Sequence, residues 1–308
     1  MVLFKDWNPY PAMLVKPFWQ TATWLGTRRL GRLLLPSRSY DGTLCYFDWP
    51  PPVAIAATTT TDQTPPTMVA LTIDDGLSRG GVDTSMVPDV LQLLEEFGTT
   101  ATFFVCTDYV SGCEDQVRCI LESGHELGNH LQADKVGYYS RLSKDDFRQS
   151  LLNANEFLDC LEENSGINLE KRPCYRWFRP PQGIMTPNMK QVLQEEQLSC
   201  HQLPMQTILG DCYCDDWLFA ESLDGRGAVG AVTGGNDLRT SAVMQTVATI
   251  MLQQAQGGSI AIFHMPERGF RQATLSALRL FLQGLQAKGW KCCSLSDMAR
   301  LINVPEKF

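Results

Sequence analysis

The stretch Met68-Val69-Ala70-Leu71-Thr72-Ile73-Asp74-Asp75-Gly76 decides how the rest of the chain is interpreted. An apolar run leads into two adjacent carboxylates and a glycine, which predicts a buried strand with an acidic carboxyl end. In α/β folds the carboxyl ends of strands border the ligand crevice. Two neighbouring aspartates repel each other, so their charged forms are stable together only when a cation or a proton lies between them. The alternative is an ordinary strand followed by an Asp-Gly turn.

Strand-like and helix-like segments alternate from residue 68 to residue 302. Repeated alternation predicts a parallel sheet, and about seven units over roughly 240 residues favour a barrel over an open sheet. We therefore expect an α/β fold, a distorted and partly incomplete (β/α) barrel of about seven parallel strands with an N-terminal extension. The predicted strands are 68–74, 99–106, 125–129, 175–179, 259–263 and 290–295. The predicted helices are 86–97, 115–122, a long helix capped by Ser143, a helix beginning at Thr186-Pro187, 241–256, 273–288 and 297–302.

Two segments precede this domain. Residues 1–40 are rich in Trp and Leu, with interleaved arginines at 28, 29 and 32. They predict either an amphipathic helix on a membrane surface or a helix packed on the outside of the main domain. The prolines and threonines of residues 50–67 predict a linker. We accordingly divide the chain into an extension with its linker, 1–67, and a main domain, 68–308.

Composition narrows the class of protein. Apolar residues make up 44% of the chain, and the formal charge of -8 argues against nucleic acid as the main partner. The 11 cysteines are too irregularly spaced for a disulfide miniprotein and predict a reducing compartment. Neither a signal peptide nor a membrane-spanning run is recognisable, so we expect a cytoplasmic protein. The oligomeric state is left open.

Four segments that could carry chemistry end or follow apolar strands. The chain has only 4 histidines, and two of them lie beside strand ends, near the acidic residues. The other two, His125 and His201, are predicted to be structural. The segments are Asp74–Gly76, Gly124–Asp134, Trp177–Gly183 and Ile260–His264.

These segments resemble the sequence motifs of the polysaccharide deacetylase family, the NodB-homology domain of chitin and peptidoglycan deacetylases. The order and spacing agree over about residues 68–302, and five ordered motifs are far more specific than any single one. The family's Thr-Phe-Asp-Asp-Gly is similar to Thr72–Gly76, its Gly-His-Glu-Ile-x-Asn-His-Thr-x-x-His to Gly124–Asp134, its Phe-Arg-Pro-Pro-Tyr-Gly to Phe178–Gly183, its Asp-rich run ending in Asp-Trp to Asp211–Trp217, and its Leu-x-His to Ile262–His264.

The resemblance implies metal-assisted hydrolysis of an acetyl group and assigns the proton transfers. Asp74 would be the general base that deprotonates the attacking water, and Arg179 would hold Asp74 through a charge-assisted pair. His264 would be the general acid that protonates the leaving amine. An aspartate of the Asp-rich run, Asp211 or Asp216, would tune that histidine, and we assign Asp211.

The resemblance also implies a metal site and a substrate pocket. Asp75 and His130 would bind one divalent ion. The backbone N–H of Gln182 would help to hold the oxyanion, while Trp217 and Ile262 would line the acetyl pocket. Such chemistry makes physical sense, because an amide is a poor electrophile and a Lewis acid polarises its carbonyl.

One departure from the family pattern concerns the metal. The second metal histidine of the family is replaced by Asp134, and the residue after the first histidine is Leu131. If Asp134 binds the ion, the site is harder and more anionic, which shifts its preference from zinc toward Mn, Fe, Co or Mg. We therefore expect one divalent ion of the Zn, Co or Mn type. Otherwise, Asp134 turns away and the site is inactive.

Three functions remain open from the sequence. The first is a metal-dependent hydrolase that removes acetyl groups from an N-acetylated carbohydrate, which is then the partner molecule. The second is a relative that binds carbohydrate without turnover. The third is an amidohydrolase that acts on a small, non-polymeric amide.

Overall fold

A computed structural model of the chain describes residues 39–40, 42–49, 66–135, 137–166, 175–197, 203–223 and 238–302. All of them lie in one compact unit, Ser39–Phe308. The helix predicted within residues 1–40 lies outside the described residues, as does most of the predicted linker. None of the described helices is long and apolar enough to cross a membrane.

A curled sheet of parallel strands forms the centre of the unit. Seven strands follow one another in the order β7-β6-β5-β4-β3-β9-β8, and β10 pairs with the amino-terminal half of β3. The predicted fold class, an α/β fold with an incomplete barrel of about seven parallel strands, is therefore confirmed. The strands are β1 (Ser39–Tyr40), β2 (Thr43–Leu44), β3 (Met68–Gly76), β4 (Thr102–Val105), β5 (Glu126–Asn129), β6 (Arg176–Phe178), β7 (Met205–Thr207), β8 (Cys212–Tyr213), β9 (Ile260–His264) and β10 (Lys291–Cys293).

Helices follow most of these strands and cover the outer face of the sheet. As predicted, Ser143 caps the longest helix, because its hydroxyl accepts a hydrogen bond from the N–H of Asp146 at 3.1 Å. The helices are α1 (Val87–Glu96), α2 (Glu114–Glu122), α3 (Lys144–Asn164), α4 (Pro187–Gln197), α5 (Asp216–Leu223), α6 (Leu238–Gln254), α7 (Thr274–Ala287) and α8 (Leu295–Ile302).

The central strand β3 shows how the sheet is built, because successive side chains point to opposite faces. Val69, Leu71 and Ile73 belong to the apolar core between the sheet and the outer helices. Ala70 packs on the inner side with Phe104 and other apolar residues. Further along the inner face come Thr72 and Asp74, so the interior of the barrel turns polar toward its carboxyl end.

Residues 42–49 pack against the sheet. Leu44 and Phe47 are buried with Ala70 and Ile260 in the inner apolar cluster. The N–H of Phe47 donates to the carbonyl of Gly258 at 2.8 Å. This segment belongs to the same compact unit as the sheet, so the packed structure begins before the predicted boundary at residue 68.

Three elements in and around the Asp-rich run Asp211–Trp217 were not predicted, namely β7, β8 and α5. β7 has 3 residues and β8 has 2, which is too short for an alternation of apolar and polar residues to show. Strands of this length are recognisable only through their neighbours in the sheet.

Candidate active site

The carboxyl ends of four strands bring the predicted residues together. After each of these four strands comes a non-glycine residue with positive φ. This backbone conformation is uncommon and clusters at functional sites. Within the described part of the chain these are the only such residues. They are Asp75 (φ 59°) after Asp74, Leu131 (φ 60°) after His130, Gln182 (φ 59°) after Arg179, and Arg271 (φ 58°) after His264.

The predicted base and its arginine are in contact. Asp74 Oδ1 accepts a hydrogen bond from Arg179 Nη1 at 2.5 Å, and both side chains are buried. The same Nη1 donates to Thr72 Oγ1 at 2.8 Å. The guanidinium also lies 4.2 Å from the ring centroid of Phe104. Arg179 therefore holds Asp74 in one orientation, as the resemblance implies.

The predicted acid, His264, is paired with an aspartate, but with Asp216 and not with Asp211. His264 Nδ1 lies 2.8 Å from Asp216 Oδ1, and the backbone N–H of His264 donates to Asp216 Oδ2 at 2.9 Å. The carboxylate of Asp211 instead accepts a hydrogen bond from the N–H of Ile260 at 2.9 Å. Ile260 begins β9 and His264 ends it, so about 13 Å of extended strand separates the two positions. The assignment of Asp211 is wrong for this reason.

This pairing sets the protonation of His264. Burial alone lowers the pKa of this histidine, but the charge and hydrogen bond of Asp216 outweigh burial, with Asp75 and Asp74 adding to the effect. The pKa of His264 is raised as a result. In a larger fraction of the molecules His264 is therefore protonated at neutral pH, which suits a proton donor.

Asp75, the predicted metal ligand, is held through one oxygen only. Its Oδ2 accepts hydrogen bonds from Arg79 Nη2 at 2.8 Å and Arg271 Nη1 at 2.5 Å. Its Oδ1 is buried without a hydrogen-bond partner in the described structure. Burial raises the pKa of Asp75, yet the charges of His264 and Arg271, with smaller contributions from other cations, hold it well below its usual range. This carboxylate is therefore ionised.

His130 faces the free oxygen of Asp75. Its Nδ1 lies 2.8 Å from the carbonyl oxygen of Arg179, and a carbonyl only accepts, so Nδ1 carries the proton. The lone pair then resides on Nε2, which lies 3.7 Å from Asp75 Oδ1. A backbone carbonyl that fixes the tautomer is the usual support of a metal-binding histidine. The unpartnered carboxylate oxygen and this lone pair fit a cation bound by both residues.

Asp134, the residue that departs from the family motif, is half-buried and turned toward Gln182. Its Oδ1 accepts a hydrogen bond from Gln182 Nε2 at 3.2 Å. Burial, and then the negative charge of Asp75, raise the pKa of Asp134. The two carboxylates are thus near enough to repel each other. Over the described ranges, however, no three His, Cys, Asp or Glu side chains are grouped closely enough to hold a metal ion.

The three residues predicted to meet the substrate border the same region. Gln182 lies in the short turn Pro181–Gly183 with a φ of 59°. Trp217 lies with its ring centroid 6.2 Å from that of His264 and donates through Nε1 to the hydroxyl of Tyr213 at 3.2 Å. Ile262 precedes His264 by two residues on β9, so both side chains lie on the inner face of the sheet.

Sequence reasoning missed the cationic and acidic residues that surround Asp75. Arg79 and Arg271 contact its carboxylate, and Glu267 accepts hydrogen bonds from Ser78 Oγ and from the N–H of Arg79, both at 2.9 Å. A signal was present. Charged residues directly follow two strands whose ends carry the catalytic motifs, at 79 and at 267–271.

His125 is structural, as predicted. It is buried, and its Nδ1 accepts a hydrogen bond from the N–H of Ala101 at 3.2 Å. Burial lowers its pKa to about 4. His201 lies outside the described residues.

Comparisons with known proteins agree with the sequence motifs. The family model described as polysaccharide deacetylase matches residues 61–201. A peptidoglycan-N-acetylglucosamine deacetylase of Bacillus cereus is 24% identical over 235 residues, covering 76% of this chain and 88% of the relative.

Solved structures show the same fold. The Xyl-CE4 domain of a multidomain xylanase from the hindgut metagenome of Trinervitermes trinervoides has a TM-score of 0.55 at 23% identity, covering 79% of this chain and 95% of that one. A CE4 family pseudoenzyme from Bacillus anthracis has a TM-score of 0.53 at 20% identity, covering 76% of this chain and 65% of that one. A mutant of that pseudoenzyme has restored enzymatic activity.

Proposed function

We propose, from the match of residues 61–201 to the polysaccharide deacetylase family model, that this protein is a hydrolase that removes acetyl groups from an N-acetylated carbohydrate. One observation carries the proposal. The register of β3 and β9 sets Asp74 opposite His264, and each is held by its own oppositely charged partner, Arg179 and Asp216. The proposed base and the proposed acid are therefore neighbours at the carboxyl end of the barrel.

In the proposed reaction Asp74 acts first. The oxygen of a water molecule bonds to the carbonyl carbon of the acetamide, and Asp74 takes the proton that the water loses. Arg179 supports this role because it fixes the carboxylate by one oxygen, Oδ1, and the ring of Phe104 limits the movement of the guanidinium. The backbone N–H of Gln182 is oriented by an unusual φ and donates to the oxygen that becomes negative.

His264 acts second. The bond between the carbonyl carbon and the amide nitrogen breaks, and protonated His264 gives its proton to that nitrogen. Acetate and a free amine are the products. The raised pKa of His264 supports this role because it keeps the donor protonated near neutral pH.

Asp75 and His130 would hold a divalent ion, with Asp134 as the third protein ligand after it leaves Gln182. Such an ion supplies Lewis acidity toward the carbonyl and toward water. A set of two carboxylates and one imidazole favours Mn, Co or another comparatively hard ion. The identity of the metal among Zn, Co and Mn stays a prediction.

The chemical class of the substrate follows from the relatives. The Bacillus cereus relatives act on N-acetylglucosamine units of peptidoglycan, by their names. We infer an N-acetylglucosamine-like unit for this chain. The acetate-release assay described next distinguishes a polymer from a small cytosolic amide as the carrier of that unit. The cytoplasmic location stays a prediction.

Acetate release tests the proposal. The purified protein is incubated with N-acetylglucosamine oligomers, acetylxylan and small acetamides, with Mn²⁺, Co²⁺ or Zn²⁺ added in turn. We expect release from the oligomers that falls by about 10²–10⁴-fold in Asp74→Asn and in His264→Gln. Arg268→Gln is the control, because Arg268 is exposed and pairs with Asp89 at the surface. A metal-loaded protein that releases acetate from none of these substrates would contradict the proposal.

A second candidate function is carbohydrate binding without turnover. It is favoured by the arginine contacts of Asp75 and by the absence of a three-ligand group within the described part of the chain. The two functions differ in a simple measurement. A protein that binds the oligomers but contains no metal and releases no acetate is the non-catalytic relative.

A further inference from the structure

We propose that Arg271, together with Arg79, is a positioning residue that ties Asp75 through Oδ2 and competes with a divalent cation for this carboxylate. The inference rests on the proposed function, since it concerns the metal that Asp75 and His130 would hold. It adds an internal competitor, contributed by the loop after β9, which lowers the metal affinity of the site.

The structure around Arg271 is built to keep the guanidinium in place. Arg271 has a φ of 58°, which a long side chain adopts only when its surroundings enforce it. Its Nη1 bonds to Asp75 Oδ2, and its Nε bonds to Glu221 Oε1 at 2.9 Å. Its Cζ lies 5.3 Å from the ring centroid of Trp217 and 4.7 Å from that of Phe270. The side chain is thus fixed by two carboxylates and two rings.

Arg79 bonds to the same oxygen and also lies over the ring of Phe270. Its Nη2 lies 2.8 Å from Asp75 Oδ2, and its Cζ lies 5.1 Å from the centroid of the Phe270 ring. Its Nε donates to the hydroxyl of Tyr109 at 3.2 Å. Two guanidinium groups therefore contact one aromatic ring and bond to one carboxylate oxygen.

The loop that supplies Arg271 is attached to the end of β3. Buried Glu267 accepts hydrogen bonds from Ser78 Oγ and from the backbone of Arg79, and the N–H of Met265 donates to the carbonyl of Asp74 at 2.8 Å. These contacts link residues 265–271 to residues 74–79. The backbone that carries Arg271 is therefore held close to the end of β3.

Two consequences follow for a cation at Asp75. With Oδ2 engaged by both arginines, only Oδ1 faces His130, so the carboxylate can offer a single oxygen. Moreover, a divalent ion on Oδ1 and the two guanidinium charges on Oδ2 repel one another in a buried site, where charges are weakly screened. Loss of one guanidinium charge should therefore strengthen metal binding, which no general damage to the fold would do.

Isothermal titration calorimetry with Mn²⁺ tests this directly. We expect the Kd for Mn²⁺ to fall by about tenfold or more in Arg271→Gln, since one repelling charge is removed. Arg271→Lys keeps the positive charge but loses the geometry of the guanidinium, so its Kd for Mn²⁺ should fall less than that of Arg271→Gln. Arg79→Gln should also tighten binding and serves as the second variant if Arg271→Gln does not fold. Arg268→Gln, on the same loop but paired with Asp89, should leave the Kd unchanged.

The outcomes separate this inference from the proposed function. Unchanged or weaker Mn²⁺ binding in folded Arg271→Gln and Arg79→Gln overturns the inference, whatever the acetate assay shows. Tighter binding in these variants supports it even if the unsubstituted protein releases no acetate, a result that would contradict only the proposed function. The absorption spectrum of bound Co²⁺ is a further readout, because release of Oδ2 should change the coordination of the ion.

Discussion

Arg176 begins β6 and Arg179 directly follows it. Both are almost completely buried, with 3% and 2% of the side chain exposed. Arg176 points outward to α3, where Nη1 and Nη2 bond to the two oxygens of Glu162 at 3.0 and 2.8 Å and Nη2 also bonds to Asp159. Arg179 points inward and uses only Nη1, while its Nε and Nη2 have no partner in the described structure. The structural arginine is satisfied and the site arginine is not.

The difference between the two arginines reflects their roles, one in the fold and the other in the site. A buried charge that serves only the fold gains from every additional hydrogen bond, since an unsatisfied group costs free energy. A charge that serves a reaction must hold one partner in one orientation, and at Arg179 the buried Nε and Nη2 have no partner in the described structure. Three predictions test this contrast, from the largest expected effect to the smallest.

Arg176→Gln should produce the largest loss of stability. The substitution leaves Glu162 buried without its counter-charge, which costs about 3–5 kcal/mol of unfolding free energy. The rate of acetate release by the folded protein should be unchanged, because Arg176 is directed away from the site. Urea denaturation and the acetate assay measure the two quantities. The double variant Arg176→Gln with Glu162→Gln should recover part of the stability, and a loss that is purely additive would contradict the pairing.

Arg179→Gln should mainly affect catalysis. We expect kcat for acetate release to fall by about 10²-fold, close to 3 kcal/mol, because Asp74 loses its orientation. Asp74 also loses its counter-charge, but the loss of stability should be smaller than in Arg176→Gln, because the unpartnered Nε and Nη2 groups disappear with the side chain and offset part of that cost. The same denaturation experiment provides the comparison. If the Arg179 variant proved to be the less stable one at full activity, the contrast between the two arginines would be wrong.

A structural histidine, His125, and a site histidine, His264, should likewise differ in how they change the stability of the protein with pH. His125 has a pKa of about 4 in the folded protein against 6.5 when unfolded, so only the unfolded state takes up its proton between these values. Stability should therefore fall by about 2–3 kcal/mol as the pH decreases from 7 to 4. His264 has a raised pKa, so its contribution has the opposite sign and is lost as the pH increases.

Denaturation at several pH values checks these signs. His125→Gln should flatten the loss of stability toward pH 4, since glutamine accepts the Ala101 hydrogen bond without titrating. His264→Gln should leave the acid side steep. A His125 variant whose stability still falls as steeply toward pH 4 would show that other groups cause the loss.

The sequence was sufficient to predict the fold class and the site residues that lie at the ends of recognisable strands. Asp74, Asp75, Arg179 and His264 each end or follow an apolar strand, and parallel strands bring their carboxyl ends to one edge. The capping of α3 by Ser143 was likewise a local property. These features depend on neighbours in the chain, which the sequence displays.

Contacts between distant segments were harder to predict. Asp211 and Asp216 both lie in the acidic run after β7, and only the register of β8 and β9 decides which of them reaches His264. Arg271 is 196 residues from Asp75 along the chain, and no periodicity relates them. The partner of Asp134 depends on the backbone conformation of Gln182. A positive φ is not expected of a glutamine, so the sequence did not indicate this contact.

The segment of residues 42–49 has a consequence for the way the protein can be shortened. Leu44 and Phe47 fill the inner apolar cluster beside Phe104, Trp177 and Ile260, and a side chain at Gly258 would collide with the carbonyl oxygen of Phe47 at 2.0 Å. A recombinant fragment that starts at the apparent domain boundary, Met68, would lose this covering and expose a hydrophobic surface that promotes aggregation. The minimal unit for expression, crystallisation or transfer into another protein therefore starts at Ser39, upstream of the first catalytic motif.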